Sequence, residues 1–324
     1  EALAAMEFTE TANVAGSGMG AITSVFLQVC GAGDHLISAR TIYGGTYAFL
    51  KNFAPKLNIS TSFVDITSLE KVEAAITPST KMIYCEAISN PLLEIANIAA
   101  LSKIAKKHNI ILNVDNCFAT PVNQRPIDFG ADLVVHSATK WIDGQGRVLG
   151  GIVVGKKELI KDIYLFCRST GPALSPFNAW LLSKSIETLD VRMERHASNA
   201  LFIAEALENH AAIATLRYPF LASHPQHQVA KKQMTNGGGI VCFELKGGLE
   251  AGKTFLNNLK MLSLTANLGD TRSIASHPAS TTHAKLSEAE RLAVNITPGL
   301  IRISVGLEHR DDILADITGA LAAI

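Results

Sequence analysis

The chain has 324 residues, of which 48% are hydrophobic and 18% charged, and its formal net charge is zero. This length and apolar content predict a large buried core divided between two domains. The balanced charge and the lack of a Lys/Arg-rich run disfavour a nucleic-acid track and an anionic-membrane surface, so a small-molecule partner is favoured. No apolar run in the sequence reaches the length of a membrane span.

Five cysteines are scattered along the chain without a C-x-x-C pair. This spacing favours reduced thiols in a cytoplasmic protein over a disulfide framework or a metal site such as zinc. The first ten residues have neither the basic start nor the apolar middle of a signal peptide, and their pattern is typical of the interior of a helix. We therefore expect a cytoplasmic protein, and we expect the printed sequence to start inside a longer one.

Residues 34–154 alternate short apolar strands with helical segments. Such alternation predicts an α/β fold with a largely parallel sheet. Residues 99–105 repeat apolar side chains at helical spacing after a potential cap at Asn97, which predicts a crossover helix. The predicted strands are residues 35–39, 59–64, 82–85, 110–114, 133–135 and 151–154.

The second half of the chain has a different pattern. Residues 175–211 predict a long helical stretch, broken near its middle, with Pro176 suited to a first turn. The segments predicted after it are three strands and a last helix, at residues 239–245, 261–266, 301–305 and about 311–323. We therefore predict a large α/β domain over residues 1–190 and a small α+β domain over residues 191–324.

A glycine cluster near the start, Gly16-Ser-Gly-Met-Gly-Ala21, matches a variant of the dinucleotide fingerprint, and Asp34 lies near the distance of a ribose-binding acid. The residues before it, 11–15, make a poor strand, which weakens this nicotinamide interpretation. A better one is that the cluster opens a helix over residues 19–29, whose N–H groups and dipole favour a phosphate. A tight turn without any ligand is the third interpretation.

Another apolar run, residues 131–135, leads into Ser137-Ala-Thr-Lys140, which brings two hydroxyls and a primary amine to one loop. Desolvation lowers the pKa of a lysine amine from about 10.4 and lets the amine condense with a carbonyl. Hydroxyls can hydrogen-bond a phosphate. A further apolar run ends at Asp115, where α/β sheets place ligand sites. Together these features predict pyridoxal 5'-phosphate, although an isolated lysine is more often a surface charge and an isolated aspartate a cap or turn residue.

Five motifs occur in one order: Gly16–Ala21, Tyr43-Gly-Gly-Thr46, Asp115-Asn116, Ser137–Lys140 and Ile301–Glu308. On these motifs the chain resembles, over essentially its whole length, the cystathionine/methionine-metabolism family of pyridoxal-phosphate enzymes. The resemblance implies the aspartate aminotransferase-like fold of PLP-dependent transferases (fold type I), with a large mostly parallel-sheet domain and a smaller C-terminal α+β domain. It also implies a homotetramer built from dimers with shared active sites.

The resemblance implies roles for individual residues. Lys140 would condense with the cofactor and later move protons, while Asp115 would hold the pyridine nitrogen protonated. Tyr43 would stack over the ring and help proton transfer, unless it is an ordinary loop aromatic. Arg302, in an alternating strand, would grip the substrate α-carboxylate, unless it is a plain exposed arginine. The remaining implied contacts are the phosphate with Gly18, Met19, Ser137 and Thr139, the phenolic oxygen with Asn90, and the bound amino acid with Asn267.

Two segments, residues 143–151 and 264–271, most resemble the O-succinylhomoserine sulfhydrylase branch of the family. This implies γ-replacement, in which succinate leaves the γ-carbon and sulfide adds, to give homocysteine for methionine biosynthesis. With cysteine as the nucleophile the enzyme would be a cystathionine γ-synthase, which stays an alternative.

Two further alternatives stay open. Some methionine-degrading lyases carry cysteine two positions after the stacking tyrosine, where this chain has Gly45. This difference disfavours, but does not eliminate, a methionine or cystathionine γ-lyase. A non-catalytic scaffold of the same fold is the alternative from another functional class, and the retained Lys140, Asp115, Tyr43 and Arg302 argue against it.

Members of the family normally have an N-terminal segment whose tyrosine and arginine bind the cofactor phosphate of a neighbouring subunit. Nothing in this sequence matches that segment. We therefore expect either that residues are missing from the sequence or that the protein binds its cofactor more weakly than its relatives.

Overall fold

The computed structural model describes residues 1–281, 284 and 287–324. Its larger sheet has seven strands in the order β1-β7-β6-β5-β4-β2-β3. Neighbouring strands run parallel except at β7, which is antiparallel to both β6 and β1. The strands are β1 (Thr11–Ala15), β2 (His35–Ala39), β3 (Ser60–Val64), β4 (Thr80–Glu86), β5 (Ile111–Asp115), β6 (Leu133–Ser137) and β7 (Gly151–Gly155).

The helices that accompany this sheet carry the predicted caps and breaks. Asn97 caps the crossover helix through its Oδ1, which accepts from the N–H of Ala100 at 3.2 Å. The predicted long stretch is divided at residues 187–188 into two helices. The helices are α1 (Ala2–Met6), α2 (Gly18–Val29), α3 (Gly44–Asn52), α4 (Leu69–Ala74), α5 (Ile98–Lys107), α6 (Thr120–Asn123), α7 (Lys157–Thr170), α8 (Pro176–Ile186) and α9 (Leu189–Leu207), with 3-10 turns at Ala54–Leu57 and Pro126–Phe129.

The segment expected to make a poor strand, residues 11–15, is the complete edge strand β1. It pairs with β7 along its whole length, from Thr11 with Gly155 to Ala15 with Gly151. Its weak strand propensity is overcome because the partner strand supplies the hydrogen bonds. Four strands separate β1 from β2. A dinucleotide fingerprint needs these two strands as parallel neighbours, so the topology contradicts the nicotinamide interpretation.

The smaller sheet has five strands in the order β10-β11-β12-β9-β8, antiparallel except for the pair β10 and β11. The strand predicted at 261–266 is shorter than expected, because only its middle pairs with β11. The elements are β8 (Ile213–Arg217), α10 (His227–Gln233), β9 (Ile240–Leu245), α11 (Gly248–Asn258), β10 (Ser263–Leu264), β11 (Ile274–Ser276), a 3-10 turn (Pro278–Ser280), α12 (Glu288–Ala293), β12 (Leu300–Ser304) and α13 (Arg310–Leu321).

Two apolar clusters form the core, one around each sheet, and α9 contributes to both. Its first turns bury Leu189 and Met193 in the cluster of the large sheet. Its later turns bury Ala200, Ile203 and Leu207 in the cluster of the small sheet. The domain boundary at residue 190 stays a prediction. Among the described residues, no helix combines the length and apolar character needed to cross a bilayer.

Candidate active site

A cavity of about 260 Å³ opens at the carboxyl ends of β4, β5 and β6. Parallel neighbours end at one edge of a sheet, so their polar terminal residues meet there. Asn267 is not in the cavity wall but contacts the amine of Lys140. All the other predicted site residues line the cavity: Gly18, Met19, Tyr43, Asn90, Asp115, Ser137, Thr139, Lys140 and Arg302.

Lys140 lies in the turn after β6 and projects its amine into the cavity. The amine donates to Oδ1 of Asn267 at 2.5 Å. Burial lowers the pKa of this amine, and the charge of Arg302 lowers it further. Arg192 holds the following turn, because its guanidinium donates to the backbone oxygen of Trp141 at 2.6 Å. The site thus presents a fixed amine with a lowered pKa, as condensation with a carbonyl requires.

The start of α2 and the end of β6 approach closely at one wall of the cavity. A Cβ atom on Gly18 would lie 2.7 Å from both Cβ and Oγ of Ser137, so this approach needs glycine. Gly18 and Met19 belong to the first turn of α2, where N–H groups lack partners within the helix. The hydroxyl of Thr139 is already engaged, since it accepts from the N–H of Gly150 at 3.2 Å. The wall has the donors and the dipole of an anion cradle.

Asp115 ends β5 and is 7% exposed. Its Oδ1 accepts from the N–H of Cys117 at 2.9 Å, and its Oδ2 accepts from the hydroxyl of Tyr84 at 3.3 Å. Burial raises the pKa of this carboxyl. Within the described part of the chain, none of the ion pairs includes Asp115. The contact with Cys117 suits a structural role of Asp115 in the turn. An acid that lines the cavity and forms none of these ion pairs also suits a cationic ring nitrogen.

Arg302 lies on β12 and is 1% exposed, so the exposed-arginine alternative is wrong. It donates to Oδ1 of Asn90 at 2.8 Å and to the backbone oxygens of Ala266 and Asn267 at 3.2 and 3.1 Å. Its buried Nε has no hydrogen-bond partner among the described residues. Burial lowers the pKa of the guanidinium to about 10. The cation therefore lines the cavity without a carboxylate partner among the described residues, which suits the carboxylate of an incoming amino acid.

Tyr43 immediately precedes α3 and is 42% exposed at the mouth of the cavity. Its ring lies against the backbone of Gly45, because a Cβ atom there would lie 2.5 Å from Cε1 of the ring. Any side chain at position 45 would therefore displace the ring.

Sequence reasoning missed Glu86, which ends β4 and also lines the cavity. Its carboxylate accepts from the N–H groups of Tyr43 and Asn90. Burial and the neighbouring Asp115 raise the pKa of its carboxyl to about 8. The signal was present, because Glu86 follows an apolar run just as Asp115 does, and the two residues pair across parallel strands.

Comparisons with known proteins agree with this geometry. The model of the family described as Cys/Met metabolism PLP-dependent enzyme matches residues 1–322. An O-succinylhomoserine sulfhydrylase from Pseudomonas aeruginosa is 44% identical over 324 residues, which cover 100% of this chain and 80% of that protein. An L-methionine gamma-lyase from Treponema denticola is 45% identical over 325 residues, which cover 99% of this chain and 81% of that protein.

The chain belongs to the Cys/Met metabolism family of PLP-dependent enzymes. The structure of a cystathionine gamma-lyase from Lactobacillus plantarum complexed with L-serine is 38% identical and superposes with a TM-score of 0.97. The match covers 99% of this chain and 84% of that one. The predicted family, fold type I and pyridoxal phosphate are thereby confirmed, and the protein is an enzyme of sulfur amino-acid metabolism.

The residues of the cavity fit the family's cofactor. When bound, pyridoxal phosphate supplies an electron sink for a substrate carbanion. A primary amine with a lowered pKa, an anion cradle that a Cβ atom would fill, and a buried carboxyl that forms none of the ion pairs among the described residues suit its aldehyde, phosphate and ring nitrogen. The residues that would hold these three groups are Lys140, the Gly18–Ser137 wall and Asp115.

Proposed function

We propose that this enzyme catalyses γ-replacement on O-succinylhomoserine with sulfide, to give homocysteine and succinate. The bond from the γ-carbon to the succinyl oxygen breaks, and a bond from the γ-carbon to sulfur forms. The observation that carries the proposal against a methionine lyase is glycine at position 45, where a Cβ atom would lie 2.5 Å from Cε1 of Tyr43, so the cysteine of those lyases fits only if this ring shifts. The sulfhydrylase relative, 44% identical over the whole chain, supports it.

We assign each predicted site residue its role within this proposal. Lys140 binds the cofactor aldehyde and, once released, carries protons between substrate carbons. Asp115 faces the pyridine nitrogen, and Arg302 binds the α-carboxylate of the amino acid. Tyr43 covers the ring. The supporting positions are Gly18, Met19, Ser137 and Thr139 at the phosphate, Asn90 at the phenolic oxygen and Asn267 beside the amine.

A γ-lyase is the second candidate, because the methionine gamma-lyase relative is as similar to this chain as the sulfhydrylase is. It would expel a thiol from the γ-carbon, methanethiol from methionine or cysteine from cystathionine, without adding a nucleophile there, and water would then release a 2-oxo acid and ammonia. A cystathionine γ-synthase would differ only in using cysteine as the nucleophile.

One assay separates the three reactions. The loaded enzyme is supplied with O-succinylhomoserine and sulfide, with O-succinylhomoserine and cysteine, or with methionine alone, and the products are identified by mass spectrometry. We expect homocysteine from the first mixture at the highest rate, and O-acetylhomoserine in place of the succinyl ester tests the acyl group. Preferred cystathionine formation would replace the proposal by the synthase, and 2-oxobutyrate from methionine by the lyase. Lys140→Ala is the control that should abolish every product.

We also propose a cytoplasmic homotetramer, as the resemblance implies. Large apolar side chains are exposed on two consecutive helices of the single chain, Tyr164 on α7 and, on α8, Phe177 and Trp180, whose ring centroids lie 5.9 Å apart. Contiguous exposed apolar side chains are typical of protein interfaces. Light scattering on the purified protein gives the mass, and a monomer at micromolar concentration would contradict the assembly.

A further inference from the structure

We propose that Glu86 is a positioning residue of the cofactor site. It fixes the two chain segments that carry Tyr43 and Asn90 by holding the backbone N–H group of each. The inference rests on the cofactor site proposed above and does not depend on which substrate or nucleophile the enzyme uses. Glu86 lines the cavity beside Asp115, yet none of the roles assigned above involves it.

Both oxygens of Glu86 are engaged, and each one accepts from a different segment of chain. Oε1 accepts from the N–H of Tyr43 at 2.7 Å, and Oε2 accepts from the N–H of Asn90 at 2.8 Å. The ionised carboxylate accepts freely at both oxygens, whereas the protonated form must turn its O–H away from one of these donors. Asp115 also accepts from a backbone N–H through Oδ1, but its Oδ2 has only the longer contact of 3.3 Å with the hydroxyl of Tyr84. Of the two acids, Glu86 is therefore the one that holds backbone with both oxygens.

The two segments that Glu86 holds both carry functional side chains to the cavity wall. The ring of Tyr43 projects directly from one of them. The side chain of Asn90 accepts from Arg302 at 2.8 Å, so the second segment also supports the guanidinium that we assign to the substrate carboxylate. One carboxylate thus connects the residue that covers the ring with the residue that binds the amino acid.

A purely stabilising role does not explain this arrangement. Glu86 is 7% exposed and lies beside a second buried acid. Burial and the charge of Asp115 raise the pKa of Glu86, so the folded protein disfavours the ionised form that accepts best at both oxygens. Acids that are kept in such surroundings cluster at functional sites.

The first test is Glu86→Gln, with the dissociation constant of pyridoxal phosphate measured by absorbance titration of the apoprotein. The amide keeps one acceptor oxygen and turns an NH₂ group towards the other N–H, so one of the two contacts is lost. Because buried hydrogen bonds to a charged group are strong, we expect the Kd to rise about tenfold or more. The matched control is Glu94→Gln, a half-buried acid on the same loop that does not line the cavity. An unchanged Kd in Glu86→Gln would overturn the proposal.

A double-mutant cycle separates positioning from general loosening of the fold. If Glu86 acts through Tyr43, Glu86→Gln should raise the cofactor Kd much less in a Tyr43→Ala background, where no ring is left to position. If it acts through Asn90, its effect on the KM of the amino acid should shrink in the same way in Asn90→Ala. The proposal requires that the two substitutions of each cycle depend on each other. If the fold-changes in Kd or KM of the single variants simply multiply in the double variant, in either cycle, the proposal is overturned. Since the cofactor titration involves no turnover, the Tyr43 cycle is independent of the reaction assigned above, whereas the Asn90 cycle uses the KM of O-succinylhomoserine and rests on it.

Discussion

Replacing Gly18 by alanine tests whether the start of α2 and the end of β6 form the phosphate cradle. The new Cβ would lie 2.7 Å from Cβ and Oγ of Ser137 and 3.1 Å from its Cα. Carbon atoms in contact are normally about 3.5–4.0 Å apart, so the methyl group overlaps the serine by about 1 Å. The hydroxyl can rotate away, but Cβ and Cα move only with the strand end. The cradle must therefore widen.

Overpacking of this kind costs about 1–3 kcal/mol. Each 1.4 kcal/mol is a factor of ten in an equilibrium constant, so the Kd of pyridoxal phosphate should rise by about 5- to 150-fold if the widening falls on the cradle. Gly20→Ala is the matched control on the same helix. Its Cβ would meet the Cβ atoms of Ala15 and Pro172 at 3.5 Å, which are ordinary contacts, and Oγ of Ser17 at 3.3 Å, which requires that hydroxyl to move by only a few tenths of an ångström. Alanine also favours the helix, so the control should keep both affinity and stability.

The assay is a titration of each apoprotein with pyridoxal phosphate, followed by visible absorbance, with thermal unfolding by circular dichroism beside it. We expect Gly18→Ala to be folded and to bind weakly, and Gly20→Ala to behave like the wild type. Wild-type affinity in a folded Gly18→Ala protein would refute the cradle. Equal damage from both substitutions would show that any added methyl group disrupts α2.

The remaining predictions concern charge and packing around the cofactor. Asp115→Asn should lower kcat by about 10²–10³-fold without unfolding the protein. The reason is that the pair of Asp115 with the ring nitrogen, at about 4 Å, is worth roughly 4 kcal/mol at an effective dielectric of 20. A kcat within about tenfold of wild type would contradict this prediction. Arg302→Gln removes a charge that lowers the pKa of Lys140, so that pKa should rise and the pH midpoint for cofactor condensation, read by absorbance, should move upwards. Arg302→Lys keeps the charge and should leave the midpoint in place while it raises the KM of the amino acid; an equal shift in both variants would exclude the electrostatic explanation. Gly45→Ser should displace the ring of Tyr43 and slow γ-replacement as much as Gly45→Cys does, whereas a loss confined to the cysteine variant would point to its thiol.

Local patterns were sufficient for most of the parallel sheet. A strand buried on both faces is a nearly continuous apolar run, and β2, predicted at 35–39, has those same bounds in the structure. The strands predicted at 110–114 and 133–135 extend one and two residues further, so that Asp115 and Ser137 end them. Since these polar residues follow the apolar runs closely, Lys140, Asp115 and Ser137 could be predicted as site residues without coordinates.

Elements that depend on a distant partner could not be judged in this way. Thr11–Ala15 alternates small and polar residues and becomes a strand only because β7 runs beside it. The strand predicted at 261–266 shows the opposite outcome: it is reduced to two residues, because only these two pair with β11. Strand propensity is decided largely by neighbours across the sheet, and these neighbours are remote in sequence.

The sequence by itself determined the family and the cofactor, and it predicted residues that line the cavity, because reactive side chains and glycine turns are local features with few substitutes. Only the tertiary structure decided how those groups are held. It paired the end of β4 with the end of β5, which placed Glu86 beside Asp115 and within reach of two loops. It also laid Tyr43 on Gly45 and buried Arg302 against Asn90. Burial and hydrogen-bond geometry arise between segments that are far apart in the chain, so no local pattern encodes them.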